Sequence, residues 1–395
     1  MKHVPWHALL LAAAPSAALA LTPIEQLGEQ LFFDTNLSFP EWQACAACHS
    51  PDTGFTGPLS AINAAGAVYE GAVEGRFGNR KPPSAAYATQ APVLSVDRHG
   101  TFSGGNFWDG RATGEHLGNP AADQAQGPFL NPLEQNLPAP ATVVEKVCAA
   151  TYAASFEQVF GASICDDVDR AYDAIALAIA AYEASPAVNA FSSKYDAVLA
   201  GTAKLTPAEL RGLALFQGKA KCARCHPSGP RGNGNEPPLF TDYTFDNLGL
   251  PANASNPFYT QTAFNPLGAA WKDLGLGGFL AGRLDLAQHA PGTYGAQKVP
   301  TLRNVDRRPA PDFVKAYGHN GFFKSLKQTV HFYNTRDVLP RCPPDFAGTP
   351  GDTCWPAPEV ALNVNTVELG DLKLTDADED DVVAFLKTLS DGWTP

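Results

Sequence analysis

A chain of 395 residues, 45% hydrophobic and 17% charged, is long enough for two domains and too apolar for a wholly disordered one. Its formal charge of -12 disfavours nucleic acid and anionic membrane surfaces as partners.

The chain begins MKHVPWHALLLAAAPSAALA: a lysine, a short apolar run, then small residues ending Ala18-Leu19-Ala20. This reads as a signal peptide over residues 1–20 and predicts an exported, periplasmic protein. No later stretch has enough consecutive apolar residues to span a membrane, so no span is expected in the mature form.

LTPIEQLGEQLF (21–32) starts as a helix should, with Thr22 able to cap, Pro23 tolerated in the first turn and Glu25 behind it. A short loop leads to Cys45-Ala46-Ala47-Cys48-His49. The pattern is that of a covalent c-type haem: two cysteines fix the porphyrin and the adjacent histidine ligates iron. A stretch rich in Gly, Pro and Asn follows, roughly residues 50 to 140, and long ordered loops of this kind build sites. The helical run VDRAYDAIALAIAAYEAS (168–185) then precedes LTPAELRGLALF (205–216). That segment matches 21–32 at Leu, Thr, Pro, Glu, Gly, Leu and Phe, and leads to Cys222-Ala223-Arg224-Cys225-His226. The repeat predicts an internal duplication of two cytochrome-like units. LTDADEDDVVAFLKTLS (374–390) is a capped helix with acids in its first turn; lacking a glycine at the sixth position, it is not a calcium loop.

Four cysteines remain: 148, 165, 342 and 354. In an exported chain they are expected to form two disulfides, most simply Cys148–Cys165 and Cys342–Cys354, although three pairings are possible.

Each iron needs a decision about its sixth position. A five-coordinate iron binds peroxide or oxygen, whereas a closed one stores or relays electrons. The one methionine is Met1, which leaves with the leader. In SLKQTVHFYNTRD (325–337), Leu326, Val330 and Tyr333 share one helical face, while Lys327, His331 and Asn334 share another. Tyr333 therefore lies on the apolar stripe and is favoured over His331 as a haem ligand. A core tyrosine is the competing reading.

The two haem motifs, with FGNRKPPS, FWDGRAT, DQAQGPFLNPLEQ, KVPTLRNV and YGHNGFFKSLKQTVHFYN, resemble the bacterial di-haem cytochrome c peroxidases, including their MauG-like branch. The resemblance covers nearly the whole mature chain. It implies a mainly α fold with few short strands and long ordered loops, as two cytochrome-c-like domains: 21–195 around a peroxide-binding haem and 196–395 around the second. It implies two covalent haem c groups bound through Cys45, Cys48, Cys222 and Cys225, with His49 and His226 as iron ligands and Tyr333 as the second ligand of the second iron. It further implies Gln124 and Glu134 over the open face of the first haem, Trp108 between the haems, and Asn79 at a calcium ion.

Three departures from the family pattern matter. No histidine lies between His49 and His99, so the first iron is expected to be open without reductive activation. Gln135 stands where a methionine is usual, and Ala220 where MauG carries a tryptophan on its route to substrate. A tyrosine oxygen favours oxidised iron and lowers its potential, whereas methionine does the reverse. The resemblance therefore implies an enzyme that uses hydrogen peroxide to oxidise a partner protein. The alternatives are a peroxidase fed by a small cytochrome c or cupredoxin, and a non-catalytic electron carrier.

Overall fold

The computed structural model describes residues 20–395; the expected leader lies outside them apart from Ala20. Among the described residues, eight α-helices have eight or more residues: α1 (Pro23–Phe33), α2 (Pro120–Leu130), α3 (Pro140–Ala149), α4 (Ala153–Phe160), α5 (Val168–Ala184), α6 (Pro207–Gln217), α7 (Leu326–Thr335) and α8 (Asp376–Lys387). Two antiparallel pairs supply the named strands: β1 (Ser95–Val96) with β2 (Phe102–Ser103), and β3 (Phe245–Asp246) with β4 (Gln297–Lys298). The fold is mainly helical, and no helix of the described residues is long and apolar enough to cross a membrane.

Helices α1 and α6 begin alike. The Thr22 amide donates to Glu25 Oε2 at 2.6 Å and the Thr206 amide to Glu209 Oε2 at 2.7 Å, with proline next in both. Each also crosses a partner helix through a glycine. A Cβ on Gly28 would stand 1.9 Å from the Ala178 carbonyl of α5, and one on Gly212 would stand 1.9 Å from the Asp381 carbonyl of α8. Only hydrogen lets the backbones approach this closely. Around α1 and α5 packs one apolar core, including Leu27, Phe32, Phe129, Phe156 and Ile175. Around α6, α7 and α8 packs a second, including Phe216, Phe240, Phe332, Trp355 and Phe385. Along the chain the first core reaches Val188 and the second begins at Tyr195, although Leu239 returns to the first.

The region expected to be loop, 50 to 140, contains α2. Asn119 caps it by accepting from the Ala121 amide at 2.9 Å, and Pro120 opens its first turn. Local capping thus overrides a Gly/Pro-rich composition. Both disulfides form as expected, Cys148–Cys165 and Cys342–Cys354.

Candidate haem centres

The first cavity is built around the short turn Cys45–Ala47. Cys45 and Cys48 lie on its wall as unpaired thiols. His49 follows, its Nδ1 bonded to the Phe55 carbonyl at 3.1 Å, which leaves Nε2 for the cavity. Burial pushes the His49 imidazole down to about 4, so it is neutral, the form a metal requires. The bond from Nδ1 to a carbonyl is the support that ligating histidines commonly have.

The second cavity repeats the pattern. Cys222, Cys225 and His226 line it, and His226 Nδ1 bonds the Phe240 carbonyl at 2.7 Å. Burial also lowers the His226 imidazole. It pushes all four motif thiols up to about 12, so none resembles a reactive redox thiolate.

The cavities fit a large group carrying polar substituents. Nine buried side-chain atoms of the described residues lack a hydrogen-bond partner, and six of them belong to cavity-lining Gln43, Gln135, Tyr243, Gln297 and His319. Buried polar atoms are otherwise nearly always paired.

Gln124 and Glu134 share the first cavity with His49. Gln124 comes from α2. Glu134 is fixed through its backbone: its amide donates to Asn131 at 3.0 Å, and its carbonyl accepts from Ala72 at 2.7 Å. Burial raises its carboxyl above the ordinary value, with Arg111 and Asn131 opposing. Gln135, at the family's methionine position, is buried with its Oε1 unpaired.

Trp108 lines both cavities, is 8% exposed, and donates from Nε1 to the Lys81 carbonyl at 2.8 Å. Beside it Arg80 grips Asp273 with two bonds of 2.6 Å and Asp109 with a third of 2.6 Å. Asn79 lies on the first cavity, its carbonyl accepting from Asn256 at 2.9 Å. The nearby acids Asp109 and Asp273 are committed to Arg80 rather than free for an ion.

Helix α7 presents the face anticipated from its periodicity. Leu326, Val330 and Tyr333 line the second cavity with His226. His331 faces away, its Nδ1 at 2.9 Å from Glu379 Oε1 and its Nε2 at 3.1 Å from the Gly351 carbonyl. Both its nitrogens are occupied, whereas burial raises the Tyr333 hydroxyl above its usual range. Ala220 is buried.

The structure adds groups that the sequence reasoning missed. Glu183 of α5 is 4% exposed on the first cavity, and burial raises its carboxyl to about 8. Its signal was a single acid inside the apolar run AIAAYEAS. Lys81 and Lys298 line both cavities and were read only as motif letters.

Two histidine-backed cavities with free cysteine pairs, on either side of one buried tryptophan, define a two-centre c-type haem protein. The profile of the di-haem cytochrome c peroxidase family matches residues 23–204. Methylamine utilization protein MauG of Paracoccus denitrificans is 37% identical over 97% of this chain and 93% of its own. Cytochrome c551 peroxidase of Nitrosomonas europaea is 28% identical over 79% of this chain and 74% of its own. The crystal structure of the diheme peroxidase BthA from Burkholderia thailandensis superposes with a TM-score of 0.77 at 32% identity, covering 95% of this chain and 88% of that one. The chain belongs to the di-haem cytochrome c peroxidase family, a family of peroxidase-type oxidoreductases carrying haem c.

Proposed function

We propose that this protein is an exported di-haem enzyme that uses hydrogen peroxide to oxidise a partner protein. It would consist of two duplicated units, residues 21–195 and 196–395, each holding one haem. The paired proline helix starts, glycine crossings and histidine–carbonyl bonds support the duplication. The leader supports export to the periplasm.

Two haems, once bound, would supply the redox chemistry toward peroxide. The residues of the chain supply the rest. His49 and His226 would ligate the irons, and Cys45, Cys48, Cys222 and Cys225 would form the thioethers. Glu134, half-buried on the wall of the first cavity, would take a proton from one peroxide oxygen and return it to the departing one. Gln124 would orient the peroxide by its amide. Reduction of peroxide to two waters consumes two electrons and two protons, and the electrons would come from the partner, with Trp108 between the two centres. Asn79 would offer its amide oxygen to a calcium ion.

One observation carries the choice of partner oxidation over simple peroxidase turnover: Tyr333 lines the second cavity with His226, where a donor-fed enzyme would want methionine. A tyrosine oxygen holds iron oxidised and makes it a poor acceptor from a high-potential donor. The test is anaerobic addition of stoichiometric peroxide to the ferric protein, followed spectroscopically. The proposal expects a long-lived state holding two oxidising equivalents, lost in Tyr333→Phe and formed slowly in Glu134→Gln. Rapid turnover with reduced cytochrome c and no such state would establish the donor-fed peroxidase instead.

A further inference from the structure

An oxidising equivalent made inside a protein and spent outside it must cross the surface. Besides thiols and thioethers, indole and phenol rings are the side chains that give up one electron most readily. The described residues contain no methionine, and all eight cysteines are committed, four to disulfides and four to the haem cavities. Every described tyrosine, and every described tryptophan but one, is buried or half-buried. The exception is Trp42, which is 49% exposed. Indole rings are usually well covered, so one standing in solvent beside a redox cavity calls for a reason.

Trp42 is firmly held. Ser38, wholly buried, accepts at Oγ from the Trp42 amide at 3.2 Å and from the Gln43 amide at 3.1 Å. The indole Nε1 donates to the Ala72 carbonyl at 2.6 Å, and the Ala72 amide donates to the Glu134 carbonyl at 2.7 Å. Two connections therefore lead from the ring to the first cavity. One is hydrogen-bonded, through Ala72 to Glu134 on the cavity wall. The other is covalent: Gln43 and Ala44 line the wall and Cys45 follows them. Three residues of chain put the Cα atoms of Trp42 and Cys45 at most about 11 Å apart. The repeated motif has no counterpart, because the residue three before Cys222 is Lys219, whose Nζ is bonded to Asp378 at 3.0 Å.

We propose that Trp42 is the surface relay of the first centre: it passes electrons from a macromolecular donor to the haem held by Cys45, Cys48 and His49. In each passage the indole loses one electron to the oxidised centre and keeps its Nε1 proton against the Ala72 carbonyl. One electron from the donor then restores the ring, and a phenol donor also releases its proton to water. Two passages supply two electrons that, with two protons from solvent, complete the reduction of peroxide to two waters. The relay rests on the proposed oxidation of a partner protein and adds the place where that partner is touched.

The test uses the mature holoprotein with Trp42→Phe and Trp42→Tyr, and haem per chain is counted first. Each protein receives stoichiometric peroxide, once with a nitroso spin trap and once with tyrosine amide coupled to dextran, a probe too large to enter either cavity. In the unsubstituted protein the trap should become bonded to the peptide containing Trp42, as mass spectrometry reads, and in Trp42→Phe that adduct should vanish. Dityrosine fluorescence from the dextran should be mostly lost in Trp42→Phe and largely restored in Trp42→Tyr. The oxidised state should form at the same rate in all three, because a relay acts after the peroxide step. A merely structural role beside Ala72 and Glu134 would slow that step instead, and this result would overturn the proposal. So would an unchanged dityrosine rate in fully loaded Trp42→Phe, or no adduct at Trp42 in an unsubstituted protein that has formed the oxidised state. Should Trp42→Phe load haem poorly, the adduct in the unsubstituted protein decides alone. No oxidised state in the unsubstituted protein after peroxide would overturn the partner-oxidation reading itself.

Discussion

Replacing Arg80 by methionine should uncouple the wall between the two cavities. The guanidinium makes two 2.6 Å bonds to Asp273 and one to Asp109. Asp109 keeps a second partner, Arg111 at 2.9 Å, so the loss falls on Asp273, whose side chain is 2% exposed. Asp273 retains only an acceptor role toward the Gly275 amide at 2.9 Å and a 3.9 Å approach from His319. Removing one member of such a buried pair typically costs about 3–5 kcal/mol, because the other charge stays buried alone. The sign with pH follows from Asp273. Burial alone would raise its carboxyl, but the neighbouring Arg80 guanidinium holds it well below the usual carboxylate range. Its contribution is therefore present above its unfolded value of 3.8 and lost as pH falls through the depressed folded value. In the Arg80→Met variant burial acts without that opposition, so Asp273 takes up a proton more readily and the deficit shrinks on acidification. Urea unfolding of the holoprotein at pH 7 and pH 5, followed by far-UV circular dichroism, measures both effects. A loss below about 1 kcal/mol at pH 7, or a deficit of equal size at the two pH values, would refute this account.

Two further outcomes are expected. Glu183 is buried with its carboxyl raised to about 8, so the folded chain keeps a proton that the unfolded chain releases above about 4.5; stability should fall as pH rises from 4.5 to 8. Glu183→Gln should flatten that dependence and melt higher than the parent at pH 8 and alike at pH 4.5, as thermal scans would register. His331→Gln should leave the Soret and ligand-field bands of the second haem unchanged, because both imidazole nitrogens are spent on Glu379 and Gly351. An altered low-spin spectrum in that variant would place His331, and not Tyr333, on the iron.

Much of the candidate site was legible because covalent haem attachment is written in contiguous residues. Five letters, Cys-x-x-Cys-His, specify the thioethers and one iron ligand. Helical phasing alone separated Tyr333 from His331, and the two residues do face opposite sides of α7. The glycine shared by the two repeated helices was visible as a match but had no meaning on its own. Its reason is the carbonyl of Ala178 or Asp381 that presses against it from another helix. Helix α2 was missed because glycine and proline dominate the composition of its surroundings, while its start depends on one asparagine cap.

By itself the sequence determined the attachment chemistry, the disulfide cysteines and the apolar faces of the helices, because each is encoded by residues close together in the chain. Only the tertiary structure decided which groups converge on each cavity. Glu183 and Lys81 carry their significance through burial, and half-buried Lys298 through a partner far away in sequence: it meets Asn106 across 192 positions. Burial is a property of the whole packed chain, and with it the environment that raises an acid.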